Sequence, residues 1–193
     1  MIYNVFVDFQ FEAIIIGGGP GGTSAAKVLA KAGKKVALIS TELGGECLNY
    51  GCIPTKIYLW AAELFEKTNA KPDWQNMKDK KMKLVEKLKK ALLFTIETAG
   101  VKIIKGIGKF KDPHTIIVES DGNTQELTAQ YIIIATGSEP ISLPGIELNG
   151  TNILNNQQIL ELQEPPKNLL IIGGGVTSAE FASIFSMFQT ETT

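Results

Sequence analysis

The sequence predicts an α/β protein built around a parallel sheet, and three observations predict it. Two apolar runs, Ala13-Ile-Ile-Ile16 and Asn168-Leu-Leu-Ile-Ile172, each end abruptly on consecutive glycines. Each glycine cluster leads into helix-favouring residues, Thr23 to Ala32 in one case and Ala179 to Phe188 in the other. A further apolar run, Lys35-Val-Ala-Leu-Ile39, follows the first of these helices. Strands apolar at nearly every position are buried on both faces, the condition of a parallel sheet covered on both sides. A length of 193 residues accommodates one full domain and part of another.

Composition narrows the functional classes. With 44% hydrophobic and 20% charged residues, the chain is not a disordered, collagen-like or disulfide-scaffold sequence. Its 19 basic and 20 acidic residues leave a net charge of -1, so no general field draws it to nucleic acid or to an anionic membrane. Every basic group is lysine and none is arginine, so any phosphate must be held by backbone amides, helix ends or lysine point charges. No apolar run reaches the roughly 20 residues that span a bilayer. The stretch Met1 to Phe11 lacks the positive n-region and small-residue cleavage site of a signal peptide. A cytoplasmic protein with no nucleic-acid, membrane or metal partner is expected. In that compartment two cysteines point to chemistry rather than scaffolding.

The elements follow in order. Ala13–Ile16 is a strand, Gly17–Gly22 its sharp exit, and Thr23–Ala32 a helix stopped by Gly33 before the strand Lys35–Ile39. The glycine-punctuated segment Leu43–Lys56 enters a helical run from Ile57 to Thr68, which Lys71-Pro72-Asp73 breaks. Met77–Thr98 is a long amphipathic helix with an apolar stripe of Met82, Val85, Leu88, Leu92 and Phe94. Its lysines (Lys78, Lys80, Lys81, Lys83, Lys87, Lys89, Lys90) form a solvated outer face, since no aromatics for base stacking are interleaved among them. Short β-type runs then succeed one another: Val101–Ile104, Lys109-Phe110, Thr115–Val118 and Tyr131–Ile134, with Asp121-Gly122 as a hairpin signal, giving a meander or hairpin insert. Pro140, Pro144, Gly145 and Pro165-Pro166 mark loops. No strand is expected after the last helix, and Gln189–Thr193 shows no cap. Residues 1–150 form the expected first domain, and 151–193 the βα opening of a second.

Gly17-x-Gly19-x-x-Gly22, after a strand and opening a helix, has the spacing of a dinucleotide-binding loop. The first glycine permits the turn, the second lets backbone approach a pyrophosphate, and the third allows close helix–strand packing. Amides at the helix N-terminus then face the anion. Such a loop normally has an acid at the end of the second strand for the ribose hydroxyls, but Ser40 stands there. Glu42, the nearest carboxylate, either serves from the loop or is simply solvent-exposed. Gly173-x-Gly175-x-x-Ser178 is a second, degenerate copy.

Cys47 and Cys52 are five apart, about 8–9 Å on a regular helix, whereas disulfides span about 4.4–6.8 Å between Cα atoms. A bond therefore needs a distorted first turn, which Gly51 permits and Pro54 helps to set. A cysteine near a helix N-terminus gains thiolate character, and Lys56 adds positive charge. The residues themselves leave two readings, a redox pair or inert buried thiols.

Gly44-Gly-Glu-Cys-Leu-Asn-Tyr-Gly-Cys-Ile-Pro-Thr-Lys56 resembles the active-site segment of the class I pyridine nucleotide-disulfide oxidoreductases, flavoproteins that include dihydrolipoamide dehydrogenase, glutathione reductase and mercuric reductase. The resemblance runs from about Phe11 to about Phe188. It includes Ile16-Gly-Gly-Gly-Pro-Gly-Gly22, Gly106-Ile-Gly-Lys-Phe110, Ile134-Ala-Thr-Gly-Ser138 and Ile172-Gly-Gly-Gly-Val176 with Glu180 and Phe181. Leu48-Asn49 and Ile53-Pro54-Thr55 are most similar to dihydrolipoamide dehydrogenases, then to mercuric reductases.

The resemblance implies a Rossmann-like FAD-binding domain, followed by the incomplete start of a second Rossmann-like domain that in the family binds NAD. Gly17, Gly19, Pro20 and Gly22 would hold the FAD pyrophosphate. Ser40, Glu42, Gly45, Gly108, Ala135, Thr136, Gly137 and Ser138 would line the rest of the cofactor, with Gly108 near the adenine. Cys47 would exchange with a lipoamide-like dithiol, Cys52 would contact the flavin, and Lys56 would lie near its N5 edge. Gly173, Gly175, Ser178 and Glu180 would open the NAD site, with Ser178 in place of the usual glycine or alanine. The family is homodimeric, and its acid–base histidine comes from a C-terminal interface domain that these residues do not include. His114, the sole histidine, is a loop residue by its Lys111-Asp-Pro-His-Thr115 setting. The expected function is FAD-dependent dithiol/disulfide electron transfer in cell redox homeostasis, incomplete in this chain alone, with negligible NADH-dependent turnover. The alternatives are a non-catalytic FAD-binding module and part of a mercuric reductase-like enzyme.

Overall fold

The computed structural model describes residues 8–68 and 73–193, and divides into two compact units. The first comprises the chain up to Gly45 and Lys89–Gly137, the second Glu46–Leu88 and Ser138–Thr193. Most of the N-terminal stretch and the Lys71-Pro72 break lie outside the described residues. In chain order the elements are β1 (Phe11–Ile16), α1 (Pro20–Lys31), β2 (Val36–Ser40), α2 (Gly45–Asn49), α3 (Cys52–Thr68), α4 (Trp74–Thr98) and β3 (Lys102–Lys105). There follow β4 (Ile107–Asp112), β5 (Thr115–Ser120), β6 (Asn123–Ile134), α5 (Asn156–Ile159), β7 (Asn168–Leu169), α6 (Val176–Met187) and β8 (Glu191–Thr192).

The first unit is a six-stranded sheet in the order β3-β2-β1-β6-β5-β4. β1 pairs in parallel with β2 and with the C-terminal half of β6, while β4, β5 and the N-terminal half of β6 form an antiparallel meander. β6 is therefore far longer than the expected Tyr131–Ile134, because Asn123–Thr128 finds a second partner in β5. The Asp121-Gly122 hairpin forms as expected, both residues having positive φ (49° and 79°) as a type I′ turn requires. Side-chain alternation explains the unbroken apolar runs. Ile14, Ile16, Ala37 and Ile39 pack on one face against Ile116, Val118 and Leu127, whereas Ala13, Ile15, Val36 and Leu38 pack on the other against Ala26 of α1 and Ile96 of α4. Ile14, Ile15, Leu38 and Ile39 are essentially fully buried, each contributing about 1.5–3 kcal/mol.

The second unit packs helices. Tyr58, Ala61, Trp74, Met77, Ile159, Leu160, Phe181, Ile184 and Phe185 form its core, and the Trp74 ring lies 4.7 Å from Tyr58 and 5.5 Å from Phe185. α4 differs from its expected amphipathic pattern. Met82 and Phe94 are exposed, while Trp74 and Met77 carry the packing in this unit and Ile96 in the other. Lys78 and Lys81 are buried rather than solvated. Their ammonium groups donate to the carbonyls of Glu161 (2.8 Å) and Leu160 (3.1 Å), Lys81 also pairs with the Glu161 carboxylate, and Trp74 Nε1 donates to the Leu162 carbonyl. These donors satisfy acceptors at the C-terminal end of α5. The Asn155/Gln158 capping box that starts α5 is visible in the sequence as Asn-x-x-Gln but was not among the expected elements.

Two expectations near the C-terminus change. β7 covers two residues rather than five, and Leu170 and Ile172 are exposed. A strand does follow α6: Gln189 (φ 67°) ends the helix, and β8 then pairs in parallel with β7. The second strand–glycine–helix junction is thus βαβ, with Thr190 buried and its hydroxyl donating to the Pro166 carbonyl (2.7 Å).

Candidate functional site

The first glycine loop sits where β1 gives way to α1, in the first unit. Gly17 (φ 119°) donates its amide to Ile39 O (2.8 Å), and Ala135 donates to Ile16 O (2.8 Å), so the turn is stitched to both neighbouring strands. A Cβ on Gly17 would overlap the Ala135 carbonyl, and one on Gly22 would overlap the Gly17 carbonyl. Gly19 is different. Its added Cβ would meet only the Gly45 Cα, at 3.8 Å, so the second glycine faces open space where a pyrophosphate could approach. Gly19 is also the N-cap of α1 and supplies no side-chain cap, and Pro20 follows at the first helical position. The helix therefore begins with amides that no side chain satisfies, as an anion cradle requires. These features fit the pyrophosphate of FAD.

Around the loop, Gly44 donates to Gly18 O (2.8 Å), and Gly45 (φ 57°) lies against Gly19, where a Cβ would come within 2.7 Å of the Gly19 Cα. Ser40 Oγ accepts from Gly18 N, and Glu42 pairs with Lys89 of α4. Gly108 underlies the meander, where an added Cβ would meet Ile116 at 3.2 Å and Ile16 at 3.4 Å. Thr136, Gly137 and Ser138 follow β6 as an exposed segment. His114 occupies the turn between β4 and β5, its Nδ1 3.0 Å from Ala129 O and its ring against Phe9.

The cysteines belong to the second unit. α2 ends at Asn49 and α3 begins at Cys52, so the helix is broken at Tyr50-Gly51 instead of running through both cysteines. The backbone between the two cysteines therefore departs from a regular helix. A side chain at Gly51 would press on Glu46 O at 3.1 Å and on the Cys47 Cα at 3.6 Å. Cys47 is half-buried and Cys52 exposed, and neither is bonded in a disulfide. The neighbouring Cys52 side chain as a hydrogen-bond partner, then burial, hold the Cys47 thiol above its ordinary pKa; the Lys56 charge opposes this less strongly. Cys52 is the first residue of α3, whereas Cys47 lies on the short α2.

Lys56 follows Cys52 by one helical turn and pairs with Glu180 of α6 at 2.5 Å. The hydrogen bond to Glu180 raises the Lys56 ammonium above its ordinary pKa. Glu46, which precedes Cys47, accepts from Asn156 Nδ2 (2.5 Å) and Gln157 Nε2 (2.8 Å). It anchors α2 to α5, a role that no local pattern discloses, since its partners lie more than 100 residues away. The second glycine loop is exposed throughout Gly173–Gly175, and a Cβ on Gly174 or Gly175 would meet nothing within 4 Å. A cavity of about 280 Å³ beside it is lined by Gly173, Gly174, Ser178, Ala179 and Thr193 among others. Among the described residues no three His, Cys, Asp or Glu side chains cluster as metal ligands, and no helix is long and apolar enough to cross a membrane.

Comparison with known proteins gives one consistent family. Residues 11–193 match the model of the pyridine nucleotide-disulphide oxidoreductases. A dihydrolipoyl dehydrogenase of Bacillus subtilis is 34% identical over 93% of this chain and 42% of its own length. A dihydrolipoamide dehydrogenase of Chaetomium thermophilum is 37% identical over 94% of this chain and 39% of its own. The solved structure of the HOCl-induced flavoprotein disulfide reductase RclA from Escherichia coli superposes with a TM-score of 0.84 at 31% identity, covering 94% of this chain and 41% of that one. The chain spans about two fifths of the length of these relatives.

Proposed function

Because the chain belongs to the pyridine nucleotide-disulphide oxidoreductase family, we propose that it is the flavin-holding and thiol-bearing part of a dithiol/disulfide oxidoreductase of the dihydrolipoyl dehydrogenase kind. The observation that carries this reading is the pair of free cysteines flanking the α2–α3 break, with Lys56 one turn beyond. The open Gly19 face and the uncapped start of α1 support FAD as the cofactor held by Gly17, Gly19, Pro20 and Gly22. FAD would supply, when bound, the two-electron carrier that takes electrons on from the cysteine pair, with NAD as the terminal carrier.

The thiol step balances within the residues present. A thiolate of a lipoamide-like dithiol attacks the sulfur of Cys47 in the Cys47–Cys52 disulfide, and Cys52 leaves as thiolate. The second substrate thiol then displaces Cys47, so the substrate becomes a cyclic disulfide and both cysteines become thiols. Two electrons reach the cysteine pair and the substrate loses two protons. Lys56 balances negative charge on Cys52, and Gly51 and Glu46 hold the two sulfurs at the break. A homodimer and a cytoplasmic setting, which keeps such thiols reduced, complete the proposal.

A visible spectrum of the purified chain tests it. The expected outcome is bound yellow flavin at stoichiometric yield that bleaches with dithiol and shows long-wavelength charge-transfer absorbance. Colourless protein that takes up no added FAD overturns the proposal.

A further inference from the structure

We propose that Ser40 is a positioning residue: its hydroxyl fastens the phosphate-cradling loop to β2 and leaves the adenosine ribose without a carboxylate, so that the site does not select for the ribose 2′-hydroxyl. This rests on the reading that the first glycine loop holds FAD. Ser40 is the last residue of β2, the place from which an acid ordinarily accepts the ribose hydroxyls. Its Oγ accepts from Gly18 N at 3.0 Å and from Glu42 N at 3.3 Å, and donates to Glu42 O at 2.7 Å. A hydroxyl has one proton to donate and two lone pairs, so these three bonds saturate it.

The contact is close as well as saturated. A Cβ on Gly18 would lie 2.6 Å from both Ser40 Oγ and Glu42 O, so the loop rests directly on the Ser40–Glu42 turn. The Gly18 carbonyl is held from the other side by Gly44 N. Gly18 therefore points its amide at β2 and not at a phosphate. The nearest alternative acid is turned towards α4, where one oxygen of the Glu42 carboxylate pairs with Lys89.

The test titrates the purified chain with FAD and with its 2′-deoxyadenosine analogue, following flavin fluorescence. Dissociation constants within about threefold of each other are expected for the native chain. Ser40→Glu should restore selectivity, binding FAD about tenfold or more tighter than the analogue, the yield of one hydrogen bond to a charged acceptor. Ser40→Ala, which frees the loop, should weaken both ligands equally by about tenfold, and Ser40→Thr should recover both. A native preference of tenfold or more for FAD overturns the inference while leaving FAD binding intact, and so does a Ser40→Ala variant that changes the ratio of the two constants. Binding of neither flavin overturns the FAD assignment and this inference with it.

Discussion

The two strand–glycine–helix junctions share a sequence spacing and a backbone but not an environment. Gly17 and Gly173 have φ of 119° and 129°, and the N-cap glycines Gly19 and Gly175 have φ, ψ of −75°, −177° and −82°, −180°. Spacing alone reproduces the turn. Around the first loop, β2 and β6 flank β1, the Ala135 carbonyl crosses Gly17, and every glycine but Gly19 and Gly21 is hemmed in by backbone. Around the second, the two-residue β7 pairs only with β8 among the described strands, Gly174 and Gly175 stand in open space, and a Cβ on Gly173 would meet only the Ser178 hydroxyl, at 3.1 Å. The pattern sets the chain direction, whereas the neighbouring strands decide whether glycine is obligatory.

The third positions give the largest expected contrast. Serine already stands at position 178, while a side chain at Gly22 would overlap the Gly17 carbonyl, so the second turn must be wider where α6 begins. Gly22→Ser is expected to cost about 3 kcal/mol or more by overpacking against backbone. Ser178→Gly should cost only about 0.5–1 kcal/mol, the ordinary price of glycine in a helix. Urea midpoints measure both, and equal losses would erase the distinction. Gly18 and Gly174 make a purer pair, because neither has positive φ. Gly18→Ala should lose about 1–3 kcal/mol through its contacts with Ser40 and Glu42. Gly174→Ala should stay within about 0.5 kcal/mol.

The same division between local and distant causes separates what the sequence disclosed from what it hid. The strands of the parallel sheet, the Asp121-Gly122 hairpin and the break between the cysteines were legible, because apolar runs, turn chemistry and Gly51 act locally. The burial of Lys78 and Lys81 was not. Helical periodicity counts lysine as solvent-facing, and only the carbonyls of Leu160 and Glu161, about 80 residues on, make those positions interior. The anchoring of Glu46 and the Lys56–Glu180 pair were hidden for the same reason. The glycine fingerprint disclosed the turn from β1 into α1, but not that Ser40 is committed to Gly18.

The second unit relies on these long-range polar contacts where the first relies on close glycine packing. Lys81→Met tests this directly. The substitution keeps the stem but removes the ion pair to Glu161 and leaves the Leu160 carbonyl with only the longer bond from the Tyr58 hydroxyl (3.4 Å), for an expected loss of about 1–3 kcal/mol in urea unfolding. No loss would mean that the aromatic cluster around Trp74 holds α5 unaided.

The smallest effect is expected at the Lys56–Glu180 pair, where an exposed ammonium limits the gain to about 0.5 kcal/mol. Its sign with pH is nonetheless specific. Lys56 is raised above its ordinary pKa by Glu180, so the contribution is fully present below the unfolded lysine value of about 10.4 and is lost as pH climbs through the higher folded value. Cys47 behaves in the same sense, because its raised thiol favours the folded chain until pH passes through the folded pKa. Glu180→Gln should therefore lower the urea midpoint slightly at neutral pH and converge on the parent chain in strong alkali. Cys52→Ala, by removing the hydrogen bond, should move the midpoint of Cys47 alkylation to lower pH while leaving the alkaline convergence of Glu180→Gln untouched. Alkylation of Cys47 that titrates identically with and without Cys52 would break the link between the paired thiols and the α2–α3 break, and with it the contrast between a junction set by its own residues and one set by its neighbours.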